Sequence, residues 1–254
     1  MKNILYSLSV LFLFIAGVSC KKNNVITYEG KPDIYFNAAT KLPDFNGEVI
    51  SDSTVLSFAY STATDSVAKI IIGVTGAMAN HDRAYNLVVD PRSTAIAGKH
   101  YDALPTTFTI KKNKLKDTVL LKTHRTSDMQ TAEPLLILNL QPNENFVTAM
   151  QDKVLNATTG KKYSYVSYKV YINDIVKKPS GWFDFYLGVF SRKKLFLMVD
   201  VLSVEPSFFV GSPSLGILGA YGKYMQRYLN DQKVAGKTVY EDDGTEMIMG
   251  AGVQ

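Results

Sequence analysis

Cysteine, histidine and tryptophan are scarce in this sequence, and each scarcity excludes a class of structure or chemistry. The 254 residues contain one cysteine, three histidines and one tryptophan. A single cysteine cannot form a disulfide within the chain, so the hydrophobic core alone must stabilise the fold. The histidines (His81, His100 and His124) form no HExxH pattern, and without a spare thiol they predict no zinc site.

Motifs for nucleophilic catalysis and for phosphate binding are also missing. The serines between Gly211 and Gly216 lack the G-x-S-x-G spacing, and no Gly-rich phosphate loop occurs. The acidic segment from Glu241 to Glu246 lacks the EF-hand spacing, so a hairpin turn is the favoured interpretation. We therefore expect no catalytic residue, no cofactor and no metal. A hydrolase whose site residues are scattered along the sequence stays an alternative.

The excess of positive charge is modest, and its distribution along the sequence is not typical of a nucleic-acid-binding protein. The formal net charge is +5, and 20% of the residues are charged. No arginine-rich stripe with interleaved aromatic residues appears, so nucleic acid is excluded as a partner. The hydrophobic content of 46% is sufficient for a substantial core.

The N-terminal twenty residues have the pattern of an export signal. Lys2 is followed by an apolar run from Ile4 to Val18, which is short for a membrane span of roughly 20 residues. The small residues before Cys20 resemble the cleavage site of a bacterial lipoprotein signal, although Gly17 stands where leucine is usual. We predict a signal peptide over residues 1–20, lipidation of Cys20, and a polar tether over residues 21–30. An uncleaved anchor helix is the alternative.

From Ile34 to Ile172 the sequence predicts β-strands. Apolar residues alternate with polar ones over short segments, and turn residues such as Asp90-Pro91 and Pro142-Asn143 separate them. The predicted strands centre on Ile34–Phe36, Leu56–Tyr60, Ile70–Val74, Tyr85–Val89, Val119–Leu121, Leu136–Leu140 and Tyr163–Ile172. Strands without intervening helices favour a mainly β fold, an antiparallel, Ig-like sandwich over residues 31–176.

The residues after Pro179 change to a helical pattern, and we predict a smaller helical region over residues 177–254. The apolar residues Trp182, Phe185, Tyr186, Val189 and Phe190 lie on one helical face. Ser180 is the predicted N-cap, with Lys193 and Lys194 near the C-terminus of that helix. A second stripe comprises Leu218, Tyr221, Met225, Tyr228 and Leu229.

Two aromatic residues of the first stripe are candidates for ligand binding. Trp182 and Tyr186 could form a platform on which the rings of a glycan stack. The spacing along a single helix face favours the alternative, in which the stripe packs the helix onto the sandwich.

The segment from Ser93 to Tyr101 resembles a characteristic stretch of Calx-beta domains. Phe108–Ile110, Thr118–Leu121 and Glu133 before Leu136 resemble its continuation. The resemblance implies a Calx-beta-like sandwich in which Gly98 turns the chain and Tyr101 is buried. Calx-beta domains can bind calcium through clustered carboxylates. Here His100 and the segment Arg125-Thr126-Ser127 stand at acidic positions, so no calcium is expected.

A wider resemblance covers most of the chain after Cys20. It is carried by Tyr28-x-Gly30, Ile34-Tyr35-Phe36, Asp82-Arg83, Ala97-Gly98 with His100-Tyr101, His124-Arg125-Thr126, Lys178-Pro179, Trp182, Gly188, Phe190-Ser191 and Lys194. These residues resemble a family of Bacteroidota lipoproteins, often encoded beside a TonB-dependent channel and its lipoprotein lid. The resemblance implies an accessory role near nutrient uptake and provides no catalytic residues.

Together these observations predict a non-enzymatic binding module, anchored in the cell envelope through Cys20. Its expected partners are the membrane and either proteins of an uptake complex or a glycan. The outer membrane is the expected location. Some Bacteroidota lipoproteins that are exported to the cell surface carry acidic residues just after the acylated cysteine, and here Lys21 and Lys22 occupy those positions. Both the periplasmic and the surface face of the membrane therefore stay possible. A structural domain that contacts other proteins through its C-terminal helices is the alternative.

Overall fold

The computed structural model describes residues 30–40 and 51–254. The predicted signal peptide, Cys20 and all but the last residue of the predicted tether lie outside these ranges. Residues Lys31–Gln254 form one compact unit. Over the described ranges, the helices are too short or too polar to span a bilayer.

In the described ranges, ten strands form two main sheets and one hairpin. The strands are β1 Ile34–Phe36, β2 Ser53–Ser57, β3 Asp65–Val74, β4 Arg83–Val89, β5 Thr107–Ile110, β6 Lys116–His124, β7 Leu135–Gln141, β8 Asp152–Asn156, β9 Lys161–Ser164 and β10 Ser167–Asn173. One sheet has the order β1-β3-β6, the other has the order β2-β10-β7-β4-β5, and β8 pairs with β9. The mainly β class is confirmed. The pairing of β2 with β10 is parallel, a departure from the antiparallel pattern of the other pairs.

The alternation of apolar residues places the core between the two sheets. On β3, Ile70 and Ile72 are buried, whereas Val67 and Ile71 on the opposite face are exposed. This is the period-two pattern of a strand with one face on the core. The other large buried residues of this core include Phe36, Phe58, Tyr85, Leu87, Leu121, Leu136, Leu138, Phe146, Val170 and Ile172.

The segment predicted as one strand, Tyr163–Ile172, is two strands in the structure, β9 and β10. The backbone N–H groups of Val166 and Ser167 donate to the Ser164 hydroxyl, which turns the chain between the strands. The Tyr165 carbonyl accepts from Phe36 N at 2.8 Å, so this turn also joins β1 to the second sheet.

The first helical stripe does not form one helix, so that prediction is wrong. A single helical turn, α1, spans Asp184–Leu187, and a second helix, α2, spans Arg192–Leu202. Gly188 ends α1 with φ 74°, a left-handed conformation that favours glycine. Ser191 caps α2 by accepting from Lys194 N, so Lys194 lies in the first turn of a helix and not in the last.

The second helical stripe is confirmed as helix α3, Leu215–Val234. Leu218, Met225 and Leu229 are buried on one face. They join a second core that also contains Trp182, Leu187, Leu195, Met198, Phe209, Met247 and Met249. The predicted hairpin turn is also present, because Glu241 N donates to the Thr245 carbonyl at 2.7 Å.

Candidate functional site

A buried carboxylate lies between two arginines where the sandwich meets the helices. Asp174 directly follows β10 and is 1% exposed. Arg125 donates from Nε and Nη2 to its two carboxylate oxygens, both at 2.9 Å. Arg192 donates from Nη2 to Oδ2 at 2.6 Å and from Nη1 to the main-chain carbonyl at 2.9 Å. The carboxylate therefore accepts charge-assisted bonds from both sides.

Local structure fixes both arginines at this position. Arg125 directly follows β6, and its backbone N–H donates to the Thr64 carbonyl at 2.8 Å. Its Nη1 also donates to the Ser61 carbonyl at 2.8 Å. Arg192 is the first residue of α2. Burying one carboxylate costs several kcal/mol, and two guanidiniums with direct hydrogen bonds offset that cost.

An aromatic ring lies against both guanidiniums. The Phe196 ring centre is 4.8 Å from Cζ of Arg192 and 5.5 Å from Cζ of Arg125. These distances fall within the range of cation–π contacts. The three side chains line an open cleft of about 670 Å³, together with Gln130, Lys193, Leu197, Asp200 and Asp242. We call it the arginine cleft, and Phe196 and Leu197 are the apolar residues among its charged and polar lining.

Trp182, a predicted ligand-binding residue, is in the core. Its side chain is 3% exposed, and its indole N–H donates to the Gly188 carbonyl at 2.9 Å. Phe190 contacts the ring edge-on, and Phe209 packs against it at a tilt. The prediction that Trp182 offers a ring face to a ligand is wrong, because neighbouring aromatic rings already cover it. Trp182 serves packing, as the alternative expected, but the rings packed against it belong to the helical region and not to the sandwich.

Tyr186, the other predicted ligand-binding residue, is partly buried. Its ring lies 3.5 Å from the position that a Cβ on Gly219 of α3 would occupy. The aromatic rings exposed beside it belong to Phe183 and Phe185, at 46% and 55%. Ligand binding at Tyr186 stays a prediction. The helical periodicity did not indicate that Phe183 and Phe185 are the exposed rings beside it.

In the region that resembles Calx-beta domains, the side chains of Lys99 and His100 both contact the carboxylate of Asp128. Lys99 Nζ is 2.6 Å from Asp128 Oδ2, and His100 Nε2 is 3.0 Å from the same oxygen. Lys99 holds the pKa of the Asp128 carboxyl well below its usual range. Over residues 30–40 and 51–254, no three His, Cys, Asp or Glu side chains converge as metal ligands.

A second histidine bridges two carboxylates at the surface. His124, the last residue of β6, has Nδ1 2.6 Å from Asp65 and Nε2 2.7 Å from Asp102. Hydrogen bonds to Asp65 and then to Asp102 raise the pKa of His124. The bond to His124 lowers the pKa of Asp65. The bridge links β3, β6 and the loop that contains Asp102.

Sequence reasoning did not find the arginine cleft. Arg125 and Asp174 are 49 residues apart, and Asp174 and Arg192 are 18 apart. No local spacing connects such residues, and only the packing of the two sheets against each other brings the ends of β6 and β10 together. The one available signal was that Arg125 and Asp174 come a few residues after the predicted strands Val119–Leu121 and Tyr163–Ile172.

The described part of the chain is thus a mainly β sandwich protein with a helical C-terminal region and a cleft at the junction. Residues 28–204 match the family described as domain of unknown function, DUF4843. The chain belongs to that family. No curated protein matches the sequence.

Several solved structures are similar to part of the chain. The apo-form Calx CBD1 domain shares 10% identity with a TM-score of 0.36, over 57% of this chain and 97% of that domain. The CBD12 region of CALX1.2 shares 10% identity with a TM-score of 0.36, over 56% of this chain and 44% of that one. A protein of unknown function from Bacteroides ovatus shares 12% identity with a TM-score of 0.35, over 55% of this chain and 43% of that one. The similarity therefore spans less than half of the last two structures.

Proposed function

We propose that this protein is a lipid-anchored protein of the cell envelope whose folded part is a non-enzymatic binding module. The arginine cleft is the observation that carries the binding role. It is open to solvent, has a volume suited to a small ligand, and combines two guanidiniums with an aromatic ring.

The anchoring part of the proposal rests on the sequence. The apolar run after Lys2 ends in small residues and the only cysteine of the chain. Each buried CH₂ of an acyl chain contributes about 0.8 kcal/mol to membrane binding, and two chains make a stable anchor. We place the protein in the outer membrane, beside a TonB-dependent channel and its lipoprotein lid, on the basis of the lipoprotein resemblance.

The anchor is tested by fractionating cells that make the tagged full chain or its Cys20→Ser variant. The proposal expects the unaltered chain in the outer-membrane fraction, separated from the inner membrane by density. The variant should not be acylated and should leave that fraction. Equal distributions for the two chains would contradict the proposal.

The role beside an uptake system is tested by chemical crosslinking in the native cell, followed by purification of the tagged chain. Recovery of a TonB-dependent channel or its lid lipoprotein, identified by mass spectrometry, is the expected result. A tagged lipoprotein unrelated to uptake serves as the control. If both baits recover the channel equally, or neither does, the uptake role is wrong.

A structural interaction domain is the second candidate, and exposed apolar residues favour it. Phe183, Phe185 and Val189 are 46%, 55% and 81% exposed. The rings of Phe183 and Phe185 lie 6.4 Å apart, and exposed apolar patches often mark protein contacts. Deleting the helical region would also remove Arg192 and leave the buried Asp174 with one fewer partner. Substitution of surface residues is therefore the sharper test. Phe183→Ser with Phe185→Ser should abolish the crosslink to the channel under this candidate, whereas the arginine cleft should still bind its ligand.

A further inference from the structure

The two arginines of the cleft carry more positive charge than the carboxylate between them neutralises. Asp174 pairs with both Arg125 and Arg192. In the part of the chain that the structure describes, neither arginine pairs with a second acid. Lys193 has its own partner, Asp242, at 3.8 Å. One unit of positive charge is therefore left over at the Arg125–Arg192 end of the cleft.

Hydrogen-bond donors also remain at this end. A guanidinium has five N–H groups, and the bonds of Arg192 to Asp174 use only two of its nitrogens, Nη1 and Nη2. The side chains of Arg125 and Arg192 are 17% and 26% exposed, so they reach the cleft yet are largely shielded from water. Paired N–H groups on a planar guanidinium match the two oxygens of a carboxylate.

The rest of the cleft defines the body of the ligand. Phe196 and Leu197 provide apolar surface beside the arginines. Asp200 lies eight residues after Arg192 on α2, which places it about 12 Å further along the helix axis. Its carboxylate can accept hydrogen bonds from hydroxyl or amine groups. It would also repel a second negative charge on the ligand.

We propose that the arginine cleft binds a small molecule that bears a single carboxylate, which lies on Arg125 and Arg192. An uncharged body with hydrogen-bond donors extends over Phe196 toward Asp200. This inference rests on the binding role proposed above and specifies the ligand of that site. An acidic sugar and the C-terminus of a short peptide share this chemistry. A monoanion matches the single surplus charge, whereas a phosphate dianion would add a second negative charge to a cleft that also contains Asp200.

The test is calorimetric titration of the full chain in detergent with matched pairs of probes. One pair is a disaccharide that ends in glucuronic acid and its neutral glucose counterpart. The other pair is an N-acetylated tripeptide of uncharged residues with a free C-terminus and its C-terminal amide. In at least one pair the acid should bind about tenfold or more tightly than its neutral partner, the size expected of a charged hydrogen-bonded pair. Inorganic phosphate should bind more weakly than that acid.

Substitutions assign the binding to the cleft. Arg192→Lys keeps the charge but removes the fork, and it should weaken acid binding about tenfold. Asp200→Asn removes a repulsive charge without touching the Asp174 pair, and it should strengthen the binding of simple acids such as acetate. Lys162→Gln on the β8–β9 hairpin removes a positive charge outside the cleft and should change nothing. Thermal unfolding of each variant determines whether it is still folded, so that a loss of binding is not mistaken for a loss of structure.

Several results would overturn the inference. Equal affinity for acid and neutral probes, tighter binding of phosphate, or binding that Arg192→Lys leaves unchanged would each do so. If a neutral sugar binds and Phe196→Ala abolishes that binding, the carboxylate is not the recognised group, although the proposed binding role of the cleft still holds. Silence of every probe refutes the inference, while the Cys20 fractionation and the channel crosslink still test the proposed function independently.

Discussion

Arg192 donates to Asp174 through both of its Nη atoms, at 2.9 Å to the main-chain carbonyl and at 2.6 Å to the carboxylate. This pair connects the first turn of α2 to the end of β10. Arg125 binds the same carboxylate from the end of β6. The sandwich and the helical region therefore both contact one buried charge, and a substitution at Asp174 should destabilise both regions.

We expect Asp174→Asn to destabilise the protein by at least about 2 kcal/mol. Breaking a fully buried ion pair costs about 3–5 kcal/mol, and partial exposure of the two guanidiniums reduces this figure. Urea unfolding monitored by circular dichroism measures the change. Asp200→Asn, at an exposed position on α2, is the control and should stay within about 0.5 kcal/mol. Similar stabilities for the two variants would mean that Asp174 does not hold the junction.

Two glycines with almost the same positive φ differ in how crowded their surroundings are. Gly188 and Gly236 have φ of 74° and 73°. A Cβ on Gly188 would lie 3.0 Å from the Ile248 carbonyl, whereas a Cβ on Gly236 would meet nothing within 4 Å. Gly236→Ala should cost about 1–2 kcal/mol through backbone strain alone. Gly188→Ala should cost clearly more in the same unfolding experiment. Equal costs would show that the chain after α1 is not tightly packed against Ile248.

The His124 bridge should make stability fall as the pH rises above the ordinary histidine pKa of 6.5. Asp65 and Asp102 raise the folded-state pKa of His124 above 6.5. Its stabilising contribution is therefore complete below the unfolded-state pKa and is lost as the pH rises through the folded-state value. Thermal unfolding from about pH 5 to about pH 9 measures it. The control is His81→Gln, since His81 contacts the Asn80 amide. His124→Gln should flatten the alkaline decline, and a decline that persists unchanged would exclude the bridge as its cause.

Trp182 reports on its own burial, because it is the only tryptophan. Its 3% exposure predicts blue-shifted emission and little quenching by iodide in the folded protein. In urea, both properties should change to those of an exposed indole. Strong quenching in the native state would restore the interpretation of Trp182 as an accessible platform.

Much of the sandwich could be predicted because strand periodicity is local. Alternating residues such as Ile70 and Ile72 identify a strand without knowledge of its partner. Gly98, at φ 77°, and Tyr101, at 3% exposure, behave as the Calx-beta resemblance implied. The turn through Ser164 was missed because hydroxyl-to-backbone bonds leave the apolar alternation intact across the break.

The helical region and the cleft were less predictable for physical reasons. The apolar spacing from Trp182 to Phe190 fits one helix, and it also fits a helical turn followed by a bend at Gly188. Glycine in a sequence does not reveal the sign of φ. The Asp174 site depends on which strand ends meet when the two sheets pack together, and no single segment of the sequence contains that information.

The proposed envelope role depends above all on the lipid anchor at Cys20. Mass spectrometry of the N-terminal peptide of the native protein determines whether Cys20 is the first residue and what its sulfur carries. The account expects a chain that begins at Cys20 with two or three acyl chains. An intact N-terminus, or a mature Cys20 with a free thiol, would contradict it.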